Sequence, residues 1–354
     1  MSSAKSVEIG ETLFGAGAPV RVESMLKTPL SDVDGCLHEL DALKEAGCEL
    51  VRIAFPEMNL APALSFVLSR SDVPIMADIH FNHKLAIKAI ESGVKSIRIN
   101  PGNMESGERL MNLLAAAKDH GTVIRIGSNG GSLSKKHLES QGGDRARALV
   151  HAVEEQLLPL VKRGFDDIVI SAKSSSVPET VRANSLLSQK YPFPLHIGIT
   201  EAGAGIDGVV KSAAGLALLL SQGIGDTMRV SLTGPSVEEV AVAYGIQRAL
   251  GLRHRGIDLI SCPGCGRRRI DVLSTVARVK KLLPEKVRDD LTIAVMGCEV
   301  NGPKEAAAAD LGIAGTTSGF VLFVRGRVIA TGSIEEIEHR LQECLEKIAG
   351  DIAH

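Results

Sequence analysis

Cys262-Pro263-Gly264-Cys265-Gly266-Arg267 sets two thiols three residues apart in a turn. Cys298 follows in Met296-Gly297-Cys298-Glu299-Val300-Asn301-Gly302-Pro303, at the end of a second apolar run. Proline and glycine in such loops let backbone amides turn toward sulfur. Three thiolates from two strand-end loops can therefore converge on one centre. A redox disulfide between Cys262 and Cys265 would leave Cys298 without a role. Structural zinc wants a fourth Cys or His with its own short spacing, and neither His254 nor His339 is so placed. A cubane needs four ligands, usually cysteines, so the fourth here would be another residue, water or the substrate. The spacing favours iron–sulfur over zinc and leaves both open. Cys36, Cys48 and Cys344 sit in or beside helical patterns and read as small buried hydrophobes.

A second set of candidates is basic. Arg52, Arg98, Arg125, Lys173 and Arg229 lie within or just after five short apolar runs, the second, fourth, fifth, sixth and eighth of the chain. One cation near a strand end is usually solvated or ion-paired. Five directed to one rim would form an anion cradle, with guanidinium forks suited to phosphate oxygens. Asn100, Asn129, Ser171 and Thr200 supply neutral donors nearby.

The elements that must position these residues follow from the pattern. Runs rich in Val and Ile recur at Val20–Met25, Leu50–Phe55, Val73–Ile79, Ser96–Asn100, Val123–Gly127, Asp167–Ser171, Leu195–Thr200 and Thr227–Leu232. Segments with helical spacing alternate with them, among them Val33–Ala46, with Ser31 as its expected cap, and Arg145–Arg163. Eight strand–helix units predict an α/β fold, a (β/α)₈ TIM barrel, with a doubly wound sheet as the alternative. In such a barrel the catalytic groups project from the C-terminal strand ends. After the eighth helix the pattern changes. We expect a barrel domain over residues 1–251 and a small α/β domain over 252–354. The latter would hold a strand, the first Cys loop, a helix and a second strand with its Cys loop. A helical stretch at Lys304–Leu311, a strand pair across Arg325–Gly326 and a last helix at Ile334–Ile348 would complete it.

Bulk properties exclude some classes. Forty basic and forty-two acidic side chains nearly cancel, so neither nucleic acid nor a membrane surface is an expected partner. No run is long and apolar enough to span a bilayer, and Met1 to Gly17 lacks the apolar core of a signal peptide. A cytoplasmic location is the expectation.

The two Cys motifs, with Lys304-Glu305-Ala306 after the second, resemble those of bacterial 4-hydroxy-3-methylbut-2-en-1-yl diphosphate synthases. The likeness extends through the barrel, in Ile97-Arg98-Ile99-Asn100-Pro101-Gly102-Asn103, Ile124-Arg125-Ile126-Gly127-Ser128-Asn129, Gly198-Ile199-Thr200-Glu201-Ala202-Gly203 and Arg229-Val230-Ser231-Leu232-Thr233. The resemblance implies a [4Fe–4S] cluster held by Cys262, Cys265, Cys298 and Glu305. It also implies that Arg52, Asp78, Arg98, Asn100, Arg125, Asn129, Lys173, Thr200, Glu201 and Arg229 bind 2-C-methyl-D-erythritol 2,4-cyclodiphosphate. Glu201, as a proton donor, and Glu305, as a replaceable cluster ligand, would be catalytic. One departure is Lys304, where the family usually has glycine. The implied reaction is a two-electron reductive ring opening that eliminates a hydroxyl. No G-x-G-x-x-G fingerprint follows a first strand, so ferredoxin or flavodoxin is the expected reductant.

Topology adds one expectation. Helix eight of a barrel ends at the face opposite the catalytic rim. Residues 252–259 are eight in number and reach about 28 Å when fully extended. That is about one barrel height, so a head-to-tail homodimer, each cluster domain capping the other subunit's barrel, is expected, as the resemblance also implies. Two alternatives from other classes are a Schiff-base aldolase using Lys173 with a zinc-bound structural domain, and a non-catalytic iron–sulfur sensor.

Overall fold

The structure is a computed structural model that describes residues 3–79, 82–99, 107–283, 289–300, 302–304 and 306–350. Asn100 and Glu305 lie outside the described residues. The chain divides into two compact units, Met1–Arg253 and His254–His354. Arg253 belongs to the first because its guanidinium donates to Glu49 Oε2 at 2.7 Å and to the Val20 carbonyl at 3.0 Å.

The first unit opens with an antiparallel hairpin, β1 (Ser6–Ile9) and β2 (Thr12–Gly15), which the sequence reading did not anticipate. Strands and helices then alternate: β3 (Arg21–Met25), α1 (Val33–Ala46), β4 (Leu50–Ala54), α2 (Ala61–Arg70), β5 (Ile75–Asp78), α3 (His83–Glu91), β6 (Ser96–Arg98) and α4 (Gly107–Asp119). They continue through β7 (Val123–Asn129), α5 (Lys135–Ser140), α6 (Arg145–Val161), β8 (Ile168–Lys173), α7 (Val177–Lys190), β9 (His196–Ile197), α8 (Gly205–Leu220), β10 (Thr227–Met228) and α9 (Ser236–Ala249). Asp32, not Ser31, caps α1, its carboxylate accepting from the Gly35 amide at 3.0 Å.

Among the described residues, β3 to β10 form one eight-stranded parallel sheet in the order β8-β7-β6-β5-β4-β3-β10-β9, and an Ile170–Leu195 bridge joins its ends. Neighbours in space are neighbours in sequence all the way round. That is a (β/α)₈ barrel; a doubly wound sheet would reverse its order at a switch point. Alternation along the strands sorts the side chains. Ile124 and Ile126 face the helices and join the main core. Leu50, Met76, Val123 and Val169 point inward and pack on Val7, Ile9 and Phe14 of the hairpin, which fills that end of the barrel with apolar atoms. Two residues further along the same four strands come Arg52, Asp78, Arg125 and Ser171, all lining a cavity. The step from apolar floor to charged cavity is thus one pleat.

The second unit is a five-stranded sheet in the order β11-β12-β13-β14-β15. Its strands are β11 (Asp258–Ser261), β12 (Thr292–Met296), β13 (Leu311–Thr316), β14 (Gly319–Val324) and β15 (Arg327–Gly332). The first three are mutually parallel and the last two antiparallel. Helices α10 (Val272–Leu282) and α11 (Ile334–Gly350) pack on it through Val279, Ile337, Leu341 and Leu345. The expected helix over Lys304–Leu311 is corrected: its described residues form turns, and Leu311 starts β13. Four alanines and a lysine there give helical propensity, but Ala306 and Ala309 are buried against the sheet and Leu311 to Ala314 pairs on both sides.

Candidate active site

The barrel cavity has a volume of about 210 Å³. Arg52 from β4, Arg98 from β6, Arg125 from β7, Lys173 from β8 and Arg229 just beyond β10 all line it. So many cations in one small space need counter-charges, and three carboxylates supply them. Arg125 and Glu23 of β3 form a buried two-point ion pair, one arm of it Nη2 donating to Oε1 at 2.9 Å. Asp78 of β5 lies between two guanidiniums, 3.8 Å from Arg52 Nε and 3.6 Å from Arg98 Nη1. Glu239 of α9 accepts from Arg229 Nε at 3.2 Å and from the Ser24 hydroxyl at 3.0 Å. Arg52 donates to Met25 Sδ at 3.2 and 2.9 Å. Burial pushes the Arg52 guanidinium down to about 10, with Asp78 opposing and Arg125 and Arg229 reinforcing the fall. Burial lowers Arg98 as well.

Lys173 is held differently. Its ammonium nitrogen lies 2.6 Å from His196 Nε2 of β9, and His196 Nδ1 lies 3.6 Å from Glu23 Oε2. Burial first, and then the charge of Arg125, push both Lys173 and His196 well below their ordinary values. Gly198 makes room for this arrangement. A Cβ there would lie 2.5 Å from the Arg229 carbonyl and 3.1 Å from Lys173 Nζ. Ser171, Asn129, Thr200 and Ser231 complete the wall with neutral hydrogen-bonding groups. A concave, cation-rich site with neutral donors suits a multiply charged phosphate ester.

Three of the four cysteines of the second unit meet as well. β11 and β12 are adjacent and parallel, with Ser261 opposite Val295, so the loops leaving them sit side by side. Cys262, Cys265 and Cys298 line one cavity of about 140 Å³ with Arg268 and Gly297. The Gly297 amide donates to Cys262 Sγ at 3.1 Å and the Arg267 amide to Cys265 Sγ at 3.5 Å. Gly297 is needed at that approach, since a Cβ would come within 3.3 Å of Cys262 Sγ. Thiolate is the form of cysteine that binds metal. Cys36 and Cys48 are buried in the barrel and pushed up by desolvation to about 11 and about 12. Those are inert thiols. The donor set of the Cys262 cavity therefore fits an iron–sulfur cluster.

Comparison with known proteins agrees across both units. Residues 4–244 match the model of the GcpE TIM-barrel domain, and residues 258–347 match that of the GcpE protein C-terminal domain. The chain belongs to the GcpE family. It is 45% identical over 343 residues to the 4-hydroxy-3-methylbut-2-en-1-yl diphosphate synthase (flavodoxin) of Thermodesulfovibrio yellowstonii, covering 97% of this chain and 98% of that protein. It is 44% identical over 347 residues to the enzyme of the same name from Geobacter sulfurreducens, covering 98% of each. Among solved structures, N-acetylneuraminic acid (sialic acid) synthetase from Leptospira borgpetersenii serovar Hardjo-bovis matches with a TM-score of 0.50 at 14% identity, over 79% of this chain and 96% of that one. That likeness is one of fold.

Within this GcpE-family barrel the structure brings most of the expected residues together. Arg52, Asp78, Arg98, Arg125, Asn129, Lys173, Thr200 and Arg229 line one cavity. Glu201 does not: it is exposed on the loop after β9, with a positive φ of 53°. Sequence reasoning missed Glu23 and His196, which hold Arg125 and Lys173. For His196 the signal was available, since it is the lone ionisable residue of the run Leu195-His196-Ile197, whereas Glu23 shares its run with Arg21. No helix among the described residues is long and apolar enough to cross a membrane.

Proposed function

We propose that this chain is a 4-hydroxy-3-methylbut-2-en-1-yl diphosphate synthase, converting 2-C-methyl-D-erythritol 2,4-cyclodiphosphate by reductive ring opening and dehydroxylation. The observation that carries this reading is the pairing, in one GcpE-family chain, of a four-arginine cavity with a three-cysteine cavity. The relatives' name supports flavodoxin as the electron donor. A Schiff-base aldolase using Lys173 is not favoured, because the family match spans the cysteine unit as well as the barrel.

In this reading Cys262, Cys265 and Cys298, with Glu305 as fourth ligand, hold a [4Fe–4S] cluster. When bound, the cluster passes electrons singly to the substrate. The chain's own residues do the rest. Arg52, Arg98, Arg125, Arg229 and Lys173 bind the cyclic diphosphate and fix the ring's orientation. Their charge stabilises the phosphate released as the ring opens. Asp78 and Thr200 receive the substrate hydroxyls, with Asn100 and Asn129 as further donors. The departing hydroxyl leaves as water, which requires a proton at that oxygen, and Glu201 is the proposed donor. Residues 1–251 act as the substrate domain and 252–354 as the cluster domain. Two chains assemble head to tail, so that each barrel is served by the partner's cysteines.

Purification without air tests the core of this proposal. About four irons per chain are expected, with turnover of the cyclic diphosphate by reduced flavodoxin. Stoichiometric zinc with no iron would overturn it. Glu305→Ala should retain more iron than serine variants of the cysteines and yet lose turnover.

A further inference from the structure

We propose that His137, His151 and Glu155 form a binding site for a zinc-class divalent cation on the helical layer of the barrel, apart from both cavities described above. His151 and Glu155 are four residues apart on α6 and share one face of that helix. His137 comes from the short helix α5, which folds against α6. One potential ligand atom from each of the three residues lies within 4.8 Å of the other two.

The carboxylate divides its oxygens between two imidazoles. Glu155 Oε2 is 2.7 Å from His137 Nε2, and Oε1 is 3.8 Å from His151 Nδ1. These separations bracket the roughly 3.3 Å between donors around a tetrahedral zinc with bonds of about 2.0–2.1 Å. The His151 Nδ1 atom is itself buried and, among the described residues, has no hydrogen-bond partner, though it faces Glu155 at 3.8 Å. A buried imidazole nitrogen without a partner is unfavourable unless something completes it. The two rings meet edge to face, with centroids 5.9 Å apart and planes at 65°.

The surroundings suit a ligand set. His137 Nδ1 accepts from the Ser134 amide at 3.4 Å and lies 2.9 Å from the Ser134 hydroxyl, contacts that orient the ring with Nε2 toward Glu155. Of the nearby charges, Arg147 is drawn toward Asp144 and Glu154 toward Lys190, and Lys136 adds positive charge near Glu155. Two imidazoles and a carboxylate select zinc, cobalt or nickel over magnesium or calcium. Water would fill the fourth position. Occupancy would tie α5 to α6 and so steady the segment that leads from Asn129, a residue of the substrate cavity.

The test is equilibrium dialysis of the full chain, prepared without air, against micromolar free zinc, counting zinc and iron per chain. Wild type should retain about one zinc with its iron content unchanged. His137→Ala and His151→Ala should each weaken zinc binding about tenfold or more, and the double variant should abolish it. These residues lie outside the proposed catalytic machinery, so turnover in zinc-free buffer should match wild type. Full zinc retention by the double variant would place the metal on the cysteines and overturn the proposal. Absence of retained zinc in wild type would overturn it too. Because the readout is the difference between wild type and double variant, it stands whether or not the cysteines carry iron.

Discussion

Lys173 Nζ lies 2.6 Å from His196 Nε2, with both groups buried beneath the arginines of the barrel cavity. At that distance one nitrogen must accept, so the contact holds one proton fewer than two cations would. Burial and the charge of Arg125 favour the neutral forms of both groups. A diphosphate-bearing ligand reverses the sign of the local field. Its binding should therefore draw a proton onto this pair. Calorimetry in buffers of different ionisation enthalpy should show net proton uptake, and affinity should fall as pH rises through the ligated pKa of Lys173. A binding enthalpy independent of buffer would mean that the lysine is charged beforehand. For the free protein the sign is opposite. A lysine with a depressed pKa burdens the fold below that pKa, and the burden is relieved as pH rises toward the ordinary lysine value.

Glu23→Gln should destabilise the protein by about 3–5 kcal/mol, the range for removing one partner of a buried ion pair. Arg125 would then be left uncompensated at the centre of the barrel. Burial alone would raise the Glu23 carboxyl, but the charge and hydrogen bonds of Arg125 outweigh it and hold the group below its ordinary value. The stabilisation is therefore full above the ordinary carboxylate range and is lost as pH falls through the folded pKa. Urea unfolding at neutral and acid pH measures both effects, and an unchanged neutral midpoint would show that the pair contributes nothing net.

Arg98→Ala should weaken binding of the cyclic diphosphate by about 2–4 kcal/mol while leaving iron content and stability near wild type. Among the described residues its guanidinium faces Asp78 at 3.6 Å. Arg125→Ala should behave differently and lower stability too, because it strands Glu23. If Arg98→Ala binds normally, that arginine is structural and the cradle is smaller than proposed.

Serine at Cys262, Cys265 or Cys298 should abolish the brown iron chromophore, whereas serine at Cys36, Cys48 or Cys344 should leave it. The first three line one cavity. Desolvation raises the pKa of the other three, keeping them as thiols. Visible absorption of anaerobic preparations decides it, and retention of full colour in Cys298→Ser would remove that residue from the ligand set.

Mixing Arg98→Ala with Cys298→Ser tests the shared site. In a head-to-tail dimer each heterodimer has one site with both defects and one with neither. Random exchange should recover about a quarter of wild-type activity, since half the dimers are mixed and each has one live site. A site built within one chain gives no rescue once heterodimers are shown to have formed.

Much of this was legible in the sequence. Alternating apolar runs and helical segments predict a (β/α)₈ barrel from the count of eight β–α units, and the strand order then excludes the doubly wound alternative. The Cys262, Cys265 and Cys298 motifs mark a metal centre, since thiols in Pro/Gly turns have few other uses. Side-chain type and spacing also pointed to Arg52, Arg98, Arg125, Lys173 and Arg229. What remained hidden depends on contacts between residues far apart in the chain. Glu23 and Arg125 are 102 positions apart, and only barrel closure lays one against the other. His196 reads as an oddity in an apolar run until β9 and β8 bring it to Lys173. The hairpin Ser6–Gly15 has little pattern of its own, and its purpose appears only against the floor of Leu50, Met76, Val123 and Val169. Local pattern fixes which elements form. The partners that charge and burial demand are chosen only when the elements close into a barrel, because desolvation and Coulomb energy depend on distance in space, not in sequence.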